Sequence, residues 1–279
     1  TMKTMSTRKV TSMTKIIEIN NSKSLMGFES LKSFPNLIHF VTTRHGGTSI
    51  GTYASFNCSP FNGDNAENVK ESQKQLCGIT GIKHLIIPHQ IHGTTIKIID
   101  NVCTSKELEG VDALVTDHSG LCLCISTADC VPIFIYDPVC NVIAMAHAGW
   151  RGTVSRIATK TIDCMEKHFN VNPENIIAAL GPSISVKDFE VGDEVYKAFA
   201  DTGFDINLIS YYDEQAQKYH IDLWKANILL LQAKGVKPQN IECSGISTYS
   251  HADDFFSARR MGIKSGRILS GLMLKDEHI

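Results

Sequence analysis

The sequence predicts an α+β (mixed α/β) single domain built from mixed β-sheets or a sheet sandwich flanked by helices. Three observations carry this. Strand-like runs come in groups between isolated helical stretches, without the regular βαβ alternation of a doubly wound sheet. Hydrophobic residues make up 43% and charged residues 20% of the 279, so a core can be buried without a disulfide or metal to fold around. No low-complexity linker and no repeat of roughly 20–50 residues divides the chain.

Taken in order, residues 1–14 are polar and read as a disordered leader, which leaves 15–279 as one domain. A helix is expected over 64–76, with Asp64 as its cap and Gly78 as its stop. Strands follow at 82–87 and 94–100, separated by "PHQIHG", and again at 112–116 and 121–126. The apolar runs 131–136 and 142–146 read as a hairpin, with Asp137-Pro138-Val139-Cys140 and the following Asn141 signalling the turn. An amphipathic helix is expected over 153–169, then a strand at 176–180 ended by Gly181-Pro182 and a helix over 191–200. Asp222 caps a helix with the stripe Trp224, Ile228 and Leu231, stopped by Gly235. Strands at 241–246 and 268–274 close the chain.

Composition excludes several function classes. A formal net charge of −2 sets up no field that attracts nucleic acid. The nine cysteines are an odd number with no C-x-x-C pair, which argues for a reducing compartment and against a disulfide framework. No run approaches the roughly 20 apolar residues of a membrane span, and the first fifteen residues contain no signal-peptide core. The cytoplasm is the expected location. With no heptad seam, a monomer is expected.

The hairpin places chemistry at its open end. A two-residue connection at Pro138-Val139, or a four-residue loop over 137–140, sets Cys130 directly opposite His147, with Cβ atoms roughly 4.5–5.5 Å apart. A one-residue slip would turn them to opposite faces. A buried Cys is usually an inert small hydrophobe and a strand-end His is usually satisfied by a carbonyl, so a third group is needed. His89 and His92 are candidates; three residues apart in extended chain, they face opposite ways and one joins. Cys plus two His is a donor set for zinc, and three protein ligands with an open fourth position is the catalytic pattern. Beyond His147, "AGWRGT" opens a helix where glycines and Arg151 suit an anion. Equally, the glycines make only the turn and Arg151 is solvated.

Eight stretches in order then resemble one family. They are "TTRHGGTSIGTYASFN" (42–57), "HQIHG" (89–93), "GVDALVTD" (110–117), "TADCVPIFIYD" (127–137), "AHAGWRGT" (146–153), "GPSI" (181–184), "FEVGDEV" (189–195) and "FFSARRMGIKSGR" (255–267). Together they resemble the polyphenol-oxidase-like or laccase-domain proteins, multifunctional purine nucleoside enzymes, from about residue 37 onward. The resemblance implies His92, Cys130 and His147 as metal ligands, choosing His92 over His89. It implies a single mixed α/β catalytic domain over 15–279. It also implies phosphorolysis of adenosine, inosine and methylthioadenosine to base and sugar 1-phosphate, and deamination of adenosine to inosine. Purine nucleosides and phosphate are then the partners, and zinc the cofactor, with copper possible.

For deamination a proton donor is required beside the metal; Asp129 and Glu190 are the catalytic candidates. For phosphate, the anion-binding candidates are Arg44, Arg151 and Arg259. Three other readings compete. A copper-dependent polyphenol oxidase of laccase type would need clusters fed by His-x-His pairs, and the 11 histidines include none. A metal-free hydrolase would use Cys130 as nucleophile and His147 as base. A binding scaffold would hold zinc for structure alone.

Overall fold

The computed structural model describes residues 16–19 and 22–276. The expected leader at 1–14 lies outside the described residues. The fold is a single mixed α+β domain in which two six-stranded sheets stack face to face and helices cover both outer faces. The first sheet runs Ile16–Ile19, Ser22–Met26, Leu37–Thr42, Ile268–Leu274, Leu121–Thr127, His84–Ile86. The second runs Ile241–Cys243, Ile177–Leu180, Val131–Asp137, Val142–Ala148, Ala113–Thr116, Ile96–Ile98. Both are mixed: inner pairs are antiparallel, while His84–Ile86 and both edges of the second sheet pair in parallel. A three-stranded sheet of Glu190–Val191, Lys218–Ile221 and Ser210–Asp213 stands apart.

Side-chain alternation explains the layers. Along the central hairpin, Val131, Ile133 and Ile135 with Val142, Ala144 and Ala146 face outward, under the helices Ile157–Phe169 and Leu223–Ala233. Phe134, Tyr136, Ile143 and Met145 face inward and meet Leu123, Ile125 and Leu272 of the other sheet. The far face of the first sheet, with Phe40, Cys122, Cys124 and Leu269, packs beneath the helix Ala66–Thr80 through Leu76. Because both faces of these strands are covered, their sequences read as continuous apolar runs. No helix among the described residues is long and apolar enough to cross a membrane.

Several boundaries differ from expectation, each for a local reason. The first long helix is Ala66–Thr80, capped by Asn65, whose side chain accepts from the Glu67 and Asn68 amides. Asp64 is diverted to the Ser49 hydroxyl and the Asn57 amide, and Gly81, in the left-handed region at φ 75°, ends the helix in place of Gly78. The expected 153–169 helix is two helices, Trp150–Val154 and Ile157–Phe169. Arg156 breaks them with φ 63°, held there as its guanidinium donates to the Thr202 carbonyl and lies over Phe204. Residues 190–191 pair as a strand, so the next helix begins only at Asp193.

The hairpin register also shifts. Pro132 lies opposite His147, and Asp137 opposite Val142, so the loop is the four residues 138–141. Asp137 Oδ1 accepts from the Val139 and Cys140 amides at 2.8 and 3.3 Å, and Asn141 takes the left-handed position at φ 56°. Relative to either expected loop the pairing moves by two residues. Parity is kept, and Cys130 and His147 still share a face.

Candidate functional site

That shared face is the inner one, at the end of the hairpin where the space between the sheets opens to solvent. Asp129, in the left-handed region at φ 91°, swings Cys130 toward the opening, while His147 projects from within Val142–Ala148. His92 arrives from the turn after His84–Ile86. One ligand atom from each of His92, Cys130 and His147 lies within 4.8 Å of the other two, and the two imidazoles meet edge to face with centroids 4.8 Å apart. His147 is buried, Cys130 half-buried and His92 exposed. The triad expected from the sequence is assembled.

Asp112 organises it. Its Oδ1 lies 2.9 Å from His147 Nδ1 and accepts the His92 amide at 3.0 Å, while Oδ2 accepts the Gly93 amide at 2.8 Å. One fully buried carboxylate therefore orients an imidazole and anchors the loop that carries the other. It also offsets the cost of holding His92, a non-glycine residue, at φ 63°. Burial alone would raise the Asp112 carboxyl, but the His147 contact and the amides hold it below its ordinary value. Gln90 pins the same loop with a paired amide, donating to the Ser126 carbonyl at 2.9 Å and accepting its N–H at 2.8 Å.

The electrostatics suit a thiolate. Burial pushes the Cys130 thiol up, yet His147 and His92 outweigh it and bring it down to about 6. Burial lowers His147, but Cys130 and Asp112 raise it to about 9. Two imidazole nitrogens and a thiolate in this arrangement fit zinc, and the carboxylate behind one histidine is the usual support for such a ligand. Gly149 completes the cradle: a Cβ there would lie 2.8 Å from Cys130 Sγ and 3.2 Å from His92 Cδ2. The "AGWRGT" glycines thus serve close packing against the ligands.

All three ligands line a cleft of about 910 Å³, large enough for a nucleoside with phosphate. Arg259, Lys264 and Arg267 also line it, and aromatic surface comes from Tyr53, Phe61, Trp150 and Phe189. Burial lowers the Arg267 guanidinium, opposed by Cys130 and Asp129, and this guanidinium donates to the Ser265, Gly266 and Ile263 carbonyls at 2.6, 3.0 and 2.9 Å. Arg259 lies over the Phe189 ring and donates to the Glu190 carbonyl at 2.9 Å.

The remaining sequence candidates fall elsewhere. Arg44 does not line the cleft; its guanidinium donates to the Ala54 and Ala252 carbonyls at 2.8 and 2.7 Å and lies over Phe256. Arg151 is exposed and lies over its neighbour Trp150, outside the lining. Glu190 is exposed and also outside it. Asp129 lines the cleft, but its two oxygens accept from the Thr248 hydroxyl and the Arg259 amide, both at 2.7 Å. These bonds tie two loops to the residue before Cys130. Asp112, Lys264 and Arg267 were not singled out from sequence, although an aspartate at the head of the apolar run "DALV" was a visible sign of a buried carboxylate with a partner.

With this geometry in hand, comparison with known proteins becomes specific. A family model described as multi-copper polyphenol oxidoreductase laccase matches residues 38–275. The chain belongs to this laccase family. It is 51% identical over 268 residues to a purine nucleoside phosphorylase of Bacteroides thetaiotaomicron, covering 93% of this chain and 99% of the relative. It is 37% identical over 272 residues to adenosine deaminase RL5 of an unknown prokaryotic organism, covering 94% and 100%. Among solved structures, YfiH of Bacillus licheniformis, described as a hypothetical protein, matches with a TM-score of 0.85 and 28% identity over 90% of this chain and 97% of that one. YlmD of Geobacillus stearothermophilus matches with a TM-score of 0.82 and 29% identity over 91% and 97%. For a laccase family named after several coppers, one point stands out. Among the described residues the His92–Cys130–His147 group is the one cluster of three or more potential ligands.

Proposed function

We propose that this protein is a zinc-dependent purine nucleoside enzyme. It would cleave adenosine, inosine and methylthioadenosine with phosphate to base and sugar 1-phosphate, and deaminate adenosine to inosine. The observation that carries this is a single cleft lined by a candidate N₂S ligand set and by the cations Arg259 and Lys264, in a chain half identical to a purine nucleoside phosphorylase. When bound, zinc supplies Lewis acidity and a water acidified toward neutral pH. His92, Cys130 and His147 would hold it, and Asp112 keeps the His147 ring in register. Arg259 and Lys264 receive the phosphate dianion, and the aromatic side chains give the purine a surface. The fit of the two substrates in one volume lets water and phosphate act on the same bound nucleoside.

The test is adenosine incubated with and without phosphate on protein of measured metal content, products separated chromatographically. Adenine appearing only with phosphate, and inosine without it, is expected. Adenosine unchanged in both arms would end the reading.

A second reading has a specific observation behind it. Cys130, His147 and Asp112 are also ordered as nucleophile, base and orienting carboxylate. A hydrolase triad has no use for His92 on the same sulfur, which favours the metal. Zinc near one equivalent decides for a ligand; a metal-free protein that forms a Cys130 adduct decides for a nucleophile.

A further inference from the structure

The reaction proposed above makes a demand that none of the groups assigned so far meets. A purine that leaves with the electron pair of the C1′–N9 bond spreads negative charge over its rings, and a proton delivered to N7 removes that charge. The donor must line the cleft and keep a ring or carboxyl atom free. His92, Cys130 and His147 are committed as ligands. Asp129 has both oxygens occupied as acceptors. Arg259, Lys264 and Arg267 are cationic side chains, suited to holding an anion rather than giving up a proton. Tyr53 gives its hydroxyl proton to the Asn62 carbonyl at 2.9 Å. One lining side chain remains, and it is His89.

His89 is held as a donor would be. Its Nδ1 lies 2.8 Å from Glu109 Oε1, and its ring stacks on Phe61 with centroids 4.6 Å apart and 22° between planes. Its backbone is pinned on both sides: the amide donates to the Leu108 carbonyl at 3.0 Å and the carbonyl accepts the Gly110 amide at 2.9 Å. With Glu109 taking the Nδ1 proton as a hydrogen bond, the proton available for transfer sits on Nε2. Nε2 has no protein partner among the described residues. The turn that delivers His92 to the metal therefore delivers a second imidazole, three residues earlier, to the rim of the same cleft. Phe61 beside it offers the purine a stacking edge.

We propose that His89 is the proton donor to the departing purine, with Glu109 as its positioning residue. This rests on the nucleoside reading. In the step, the C1′–N9 bond breaks and its electron pair stays on the base, while a phosphate oxygen bonds to C1′. The Nε2 proton passes to N7. The hydroxyl proton of the attacking hydrogenphosphate restores His89, so the products are the neutral purine and the sugar 1-phosphate dianion.

The experiment compares two substrates. Inosine needs the proton; 7-methylinosine leaves as a base already alkylated at N7 and does not. With His89→Gln, kcat for inosine is expected to fall by roughly 10²–10³-fold and kcat for 7-methylinosine by less than about tenfold, with KM for both little changed. Glu109→Gln is expected to give a smaller loss with the same preference, and provides the reading if His89→Gln folds poorly. Equal losses on both substrates in both variants would make the pair structural and overturn the assignment alone. Wild-type protein that turns over neither nucleoside would remove the nucleoside reading and this assignment with it.

Discussion

Cys124 and Cys130 are six residues apart and chemically opposite. Burial pushes both thiols up. Around Cys124 the neighbours are other thiols: Cys122, 3.7 Å away sulfur to sulfur, and beyond it Cys58 and Cys77, which raise it further. Around Cys130 the neighbours are two imidazoles, one backed by Asp112, and they pull it down to about 6. The first group lies on the outer face of one sheet, under a helix. The second lies where the inner face of the other sheet meets solvent. Desolvation is common to both, so the sign of the outcome belongs to the charge of the neighbours. Sulfur density alone makes no site.

That contrast can be broken at its strongest point by removing a ligand. Cys130→Ala or His147→Ala should lose stoichiometric zinc and lower nucleoside turnover by on the order of a thousandfold or more. Metal analysis alongside steady-state kinetics checks both, and full zinc with full turnover in either variant would sink the assignment. The next test is reactivity. In metal-stripped protein Cys130 should alkylate with a midpoint near pH 6, since it is thiolate above that value and thiol below it. At pH 7 this is roughly thirtyfold or more thiolate than an ordinary thiol carries. Cys58, Cys122 and Cys124 should stay unlabelled until denaturant is added, and zinc should protect Cys130. Peptide mass mapping after a pH series reads all of this.

Smaller effects sharpen the comparison. Asp112→Asn should weaken zinc by about 10–100-fold through the His147 ring and the His92 loop, measured by chelator competition. Unchanged affinity would strip Asp112 of its organising part. Gly149→Ala should cost roughly tenfold in the same assay, because its Cβ would press on Cys130 Sγ and His92 at the distances given above. At the low end, Cys124→Ser should cost about 1–3 kcal/mol of stability by burying a hydroxyl among thiols, with turnover at low temperature unchanged. A loss of zinc in that variant would show the two sulfur groups to be linked.

Much of the fold was legible because covered sheets leave a strong mark. The runs at 121–126, 131–136, 142–146 and 268–274 are apolar on both faces and were placed within a residue or two. The hairpin of Ser210–Asp213 and Lys218–Ile221 left no such mark, since Tyr211 and Tyr212 are exposed and the strands are half polar. The cluster of His92, Cys130 and His147 was legible through parity and family motifs. The cationic side chains of the cleft were less so. Arg44, Arg151 and Arg259 sit in equally suggestive motifs, yet loop carbonyls claim Arg44, a neighbouring indole claims Arg151, and Arg267 lines the cleft unannounced with its guanidinium on the Ser265, Gly266 and Ile263 carbonyls.

The sequence by itself determined the two-faced strands, the hairpin, and a cysteine and histidine on one side of it, because alternation along a strand survives any shift by two. Only the tertiary structure decided the register, the carboxylate behind His147, the turn that brings His92 and His89 in together, and which long cationic side chains reach the cleft. Those depend on distant backbone carbonyls and amides competing for the same donors and acceptors, and no local pattern records that competition.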